Sequence, residues 1–168
     1  MPKAIQVFVR AVDAMNRFIG RIAMYLIFVM LAVLLYSSVS KTFADPAIWT
    51  LEVAQFLMVA YFLLGGGYSM QLDAHVRMDL FYSRWSPRTA AMMDAITIGF
   101  LIFYLVFLLY GGISSTAYAL QYGETSYSAW SPYMAPIKII MTFGVAMMLL
   151  QSIATFFRDL AAARGETL

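Results

Sequence analysis

Nine acids, eleven bases and a single histidine are what this chain of 168 residues has for polar chemistry. Cysteine is absent, which excludes disulfides, thiolate nucleophiles and iron–sulfur ligation. The most chemically suggestive trio is His75, Arg77 and Asp79. His75 and Asp79 are four apart, so on a helix the carboxylate could orient the imidazole. Catalysis also needs a nucleophile, an oxyanion site or a metal, and the sequence offers none beside them. One histidine cannot ligate a haem from both sides, and histidine with one aspartate is a poor metal site. The trio therefore reads as a polar turn at a membrane surface, and the chain as no enzyme. Without a GxxxxGK[ST] motif it does not hydrolyse ATP.

The second suggestive residue is Glu52, an acid inside an otherwise apolar run that opens at Trp49. Charges in such runs are costly and mark pairing or function. What surrounds it sets the terms. The chain is 62% hydrophobic and 12% charged, against about 45–50% and about 25% for soluble domains. It reads as one all-α integral membrane domain over residues 1–168, a four-helix transmembrane bundle. The expected spans are residues 22–39, 48–70, 95–113 and 133–157. The first apolar run is longer than the ~7–15 residues of a signal-peptide core, so it is expected to be retained.

Before it, Ile5, Phe8, Val9, Val12, Met15 and Ile19 recur at helical spacing, with Lys3, Arg10, Asp13 and Arg17 on the other face. Two arrangements fit: an N-terminal amphipathic helix lying in the headgroups, or a charged extension of the first span. Leu72, Val76, Leu80, Phe81 and Trp85 could likewise form an interfacial helix between spans two and three.

Nine of the eleven basic residues fall on the side of the termini and of the connector between spans two and three; only Lys41 and Lys138 fall opposite. By the positive-inside rule both termini are cytoplasmic. Spans two and four then both start outside, which puts Glu52 and Lys138 at similar depth. The two can meet there, within the bundle or across to a partner, or each can snorkel to the interface. Glu52, with the shorter side chain, favours a packed partner. Gly65, Gly66 and Gly67 near the inner end of span two permit close helix approach or a kink; either makes a contact surface.

In order along the chain, W-x-x-E (Trp49, Glu52), the glycines, H-x-R-x-D (His75, Arg77, Asp79) and Pro87 resemble the DctQ-type small permease subunit of TRAP transporters, the tripartite ATP-independent periplasmic transporters. The stretch GETSYSAWSPYMAPIK, Gly123 to Lys138, is similar to the branch assigned to mannitol, chloroaromatic or keto-acid substrates. Many relatives carry a second acid beside Glu52, where this chain has Leu51 and Val53; a role needing paired carboxylates is not carried over.

The resemblance implies a heterodimer with a large permease subunit that holds the transport pathway and the Na+ sites. It also implies a periplasmic binding protein that delivers an organic acid for symport across the bacterial inner membrane. This chain would hold no cofactor and would act as a membrane scaffold that helps dock the binding protein. Two rival readings are a self-sufficient four-helix exporter exchanging protons at Glu52, and a haem- or quinone-anchoring subunit. Glu52 sits near a surface rather than at mid-membrane, which counts against the first. The lone histidine counts against the second.

Overall fold

A computed structural model describes residues 3–43, 45–72 and 87–163. Four helices account for almost all of them: α1 Lys3–Phe43, α2 Thr50–Gln71, α3 Pro87–Tyr122 and α4 Ala135–Ala163. Each contains a stretch long and apolar enough to cross a membrane. The connector expected to form an interfacial helix, together with His75, Arg77 and Asp79, lies outside the described residues.

The packing is inside-out relative to a soluble domain. Four of the five largest fully buried side chains are polar: Gln151, Asn16, Thr50 and Ser152, beside Leu105. Phe100, Phe103, Phe107 and Tyr110 of α3 are each more than three-fifths exposed. In water such a surface would aggregate; in hydrocarbon, large apolar groups face the solvent and small or polar groups hold the helices together. The chain is a multi-pass membrane protein.

Three features position the rest. First, α1 is a single helix of 41 residues, which matches the second of the two arrangements, a charged extension of the first span. At about 1.5 Å per residue it is about 60 Å long, roughly twice the hydrocarbon thickness. No proline interrupts it, and Gly20 is the seat of a close contact rather than a break: a side chain there would collide with Tyr68 of α2. Its first turns are held by α4, where Val9 and Val12 pack with Ala154, flanked by Ile5, Phe8, Leu150 and Phe157. Second, α3 extends well beyond residues 95–113, starting at Pro87, whose missing N–H costs nothing at a helix start. It stops at Gly123, whose φ of 59° is the left-handed turn that glycine adopts freely. Third, α1, α2 and α4 pack on one another, while α3 packs chiefly on α4. At the α2–α4 crossing, Gly144 lies so close to Leu63 that a Cβ there would stand 2.8 Å from the leucine Cβ.

Two connections share one end of the molecule. In the α1–α2 turn, Ser37 and Thr50 exchange a 2.8 Å hydrogen bond, Ser40 donates to the Asp45 carbonyl, and Trp49 stacks on Tyr36 at 5.7 Å. Residues 123–134 fold into a compact loop. Thr125 bridges Tyr133, Ser126 N–H donates to the Pro132 carbonyl, and Met134 N–H donates to the Glu124 carbonyl. Ser131, at φ 47°, is held in its left-handed conformation by hydrogen bonds to Ser128. This is the loop end; the opposite, terminal end carries the start of α1 and the close of α4.

Candidate functional site

Polar side chains gather at the two ends of the molecule. At the loop end, Lys138 in the first turn of α4 pairs with Glu124, with N···O at 2.5 Å. Both side chains are mostly shielded, so the pair is less screened than a surface bridge. Beneath it, Thr142 donates to the Lys138 carbonyl at 2.8 Å, and the Thr116 hydroxyl donates either to the Thr142 hydroxyl at 2.9 Å or to the same carbonyl at 3.2 Å, tying α3 to α4. Lys138 thus finds its counter-ion on the loop and not on Glu52. The reason is local. The left-handed turn at Gly123 and the short bridge between Thr125 and Tyr133 carry Glu124 back onto the start of α4. Glu52, in the first turn of α2, faces elsewhere.

Glu52 has one carboxylate oxygen, Oε2, sealed from solvent with no hydrogen-bond partner. It lines a cavity of about 620 Å³ between the α1–α2 turn and the 123–134 loop, together with Lys41, Gln55, Ser126, Ser128 and Leu51. Lys41 and Glu52 share that space without forming an ion pair.

The terminal end holds a network that the sequence did not suggest. The Gln151 carbonyl oxygen accepts from Asn16 and from Gln71, each at 3.0 Å, and its amide donates to Asp13 at 3.0 Å. Gln71 also donates to the Asp13 backbone carbonyl, and the Asp13 carboxylate pairs with Arg158. Three helices are joined through neutral amides, with one ion pair at the rim. Asn16 and Gln151 are fully buried. The Asn16 carbonyl oxygen has no hydrogen-bond donor; it lies against Gly67, where any side chain would collide with it. A reading centred on charges passes over this set. The available signal was a glutamine and an asparagine in apolar helical stretches, where an unpartnered amide is costly.

The glycine triplet resolves into three positions. Gly67 seats Asn16, Gly66 lies against Met148 with its sulfur 2.7 Å from where a Cβ would be, and Gly65 faces open space. Trp49 stacks on Tyr36 and stays partly exposed. Of the expected site residues, then, the structure leaves Glu52 and Lys138 at one end without joining them. It puts Gly66 and Gly67 into contacts between helices. About 33 Å of helix, 22 residues, separates the two ends of α2, so polar groups at its two ends cannot form one site. Among the described residues no three His, Cys, Asp or Glu side chains converge as metal ligands would.

Against this geometry stands one decisive comparison. The family described as "Tripartite ATP-independent periplasmic transporters, DctQ component" matches residues 30–162. The chain belongs to this family. The match runs from the middle of α1 to the last turn of α4, so it takes in the loop-end cavity, the Lys138–Glu124 pair and all of the terminal-end network except Asp13 and Asn16. A DctQ component is part of a transporter and not an enzyme. It works within a tripartite assembly, and the four apolar helices are the part of that assembly this chain contributes to the membrane. Comparison with individually curated proteins finds no match.

Proposed function

We propose that this DctQ component is the static membrane subunit of a TRAP transporter. It would widen and brace a large permease subunit that itself carries the substrate pathway and the Na+ sites. A periplasmic binding protein would deliver the substrate, an organic acid. The observation that carries this reading is the family match over residues 30–162. The distribution of polar groups supports it. A transport pathway needs broken helices and polar sites near the membrane midplane. Here the described helices are continuous, and their charged groups and amide network lie at the ends.

The orientation follows from charge. With nine of eleven basic residues on the side of the termini, that side is cytoplasmic in the bacterial inner membrane and the loop end is periplasmic. The 123–134 loop is then the surface presented to a binding protein. The large subunit would cover part of the unusually bare α3, and the open groove at Gly65. That groove is lined by Met24, Phe62, Tyr68 and Leu72 and has a volume of about 460 Å³. Small residues of this kind let a partner helix approach closely.

The test is copurification. A tagged copy, expressed with the large multi-span protein encoded in the neighbouring reading frame, should bring that protein down in constant proportion. Failure to retain it under mild detergent, with the tagged chain folded, would contradict the reading.

A further inference from the structure

The loop-end cavity combines features that neither the fold nor the scaffold role requires. Glu52 lines the cavity without a hydrogen bond or ion pair to any described residue. Lys41 lines the same cavity yet does not close on Glu52. A cavity with one fixed charge of each sign is complementary to a zwitterion. We propose that it binds the headgroup of an aminophospholipid of the phosphatidylethanolamine type, with the ammonium on Glu52 and the phosphate on Lys41.

Size, walls and position each favour this occupant. At about 620 Å³ the cavity is in the range of small-molecule sites, about 300–1,000 Å³, and larger than one inserted side chain would fill. A single basic side chain from a partner protein would satisfy Glu52 while being repelled by Lys41. The polar wall is completed by Gln55, Ser126 and Ser128, which can donate to phosphate oxygens. The opposite wall is apolar: Ile48 and Leu51 are more than half exposed and continue onto the lipid-facing surface of α2, a path for the glycerol and the acyl chains. The cavity also lies at the end of the apolar spans, next to the Trp49–Tyr36 stack. Aromatic side chains of this kind settle at headgroup level.

The chemistry predicts an order among lipids. A primary ammonium donates hydrogen bonds to the Glu52 carboxylate. A trimethylammonium has no N–H to donate, so phosphatidylcholine binds less well. Phosphatidylglycerol offers a phosphate to Lys41 but only neutral hydroxyl donors to Glu52, which keeps no counter-charge. The site rests on the membrane placement of the cavity and not on the transporter assignment, so it stands or fails separately from it.

The experiment is native mass spectrometry of the full-length chain in detergent, given equal amounts of the three phospholipids with matched acyl chains. Phosphatidylethanolamine should be retained over the other two. Glu52→Gln and Lys41→Gln should each lower its retention about tenfold, as expected for one lost charge-assisted hydrogen bond. Equal retention of the three lipids by the wild-type chain, which needs no variant to fold, overturns the proposal. So does a preference that survives Glu52→Gln. Repeated on the chain bound to its large subunit, the preference should persist; its loss there would assign the cavity to a basic side chain of the partner and overturn the lipid site.

Discussion

Lys138 and Glu124 form a shielded ion pair that reaches from a loop into the first turn of a helix. Glu124→Ala should destabilise the chain by about 1–2 kcal/mol, because it strands the ammonium rather than merely removing a surface bridge. Glu124→Ala combined with Lys138→Met should recover part of that loss, a coupling that thermal unfolding of the four chains of a double-mutant cycle would measure. Additive effects would mean the pair contributes nothing as a pair.

The glycines make a second contrast between single residues. Gly67→Ala would drive a methyl into the Asn16 carbonyl and should lower the melting temperature, whereas a Cβ at Gly65 meets nothing within 4 Å, so Gly65→Leu extends into the open groove. If Gly65 lies under a partner helix, Gly65→Leu should leave the isolated chain as stable as wild type and reduce recovery of the large subunit. Equal recovery would place the partner elsewhere. At this scale the sequence was half legible. Lys138 stood out as a charge near a span, but its counter-ion sits on a loop whose path depends on one left-handed glycine and a bridge of two residues. No spacing rule reveals that.

Helices were legible because hydropathy is a property of consecutive residues. Each expected span lies within or nearly within an observed helix. Their true lengths were less so. The charges at Lys3, Arg10, Asp13 and Arg17 left open a surface helix or an extension of the first span; what the apolar stripe beside them packs on is α4, a contact between residues far apart in sequence. The same long-range packing hides the terminal-end network. Gln151 is unremarkable in α4 until Asn16, Asp13 and Gln71 are brought around it. Gln151→Leu should cost about 1–3 kcal/mol, since it leaves several buried donors and acceptors unmet. It should also loosen the first turns of α1, read as faster amide exchange at Val9 and Val12. Unchanged exchange there would mean that Val9, Val12 and Ala154 hold the extension without the amides.

The whole molecule is a core of three mutually packed helices with a fourth leaning on one of them, polar at both ends and apolar between. Its family, its four membrane-length helices and the placement of its ion pairs and amide network at the two ends fit the proposed bracing role together. The rival, a proton-coupled exporter built on Glu52, requires that acid to meet both membrane faces in turn. It sits instead in the first turn of α2, in a cavity at one end of the molecule. The direct test is solute uptake by proteoliposomes under an imposed Na+ or proton gradient. The chain alone should carry no flux under either gradient. The chain with its large subunit and binding protein should take up the organic acid that the binding protein recognises. Gradient-driven flux through the chain alone, abolished by Glu52→Gln, would contradict the account.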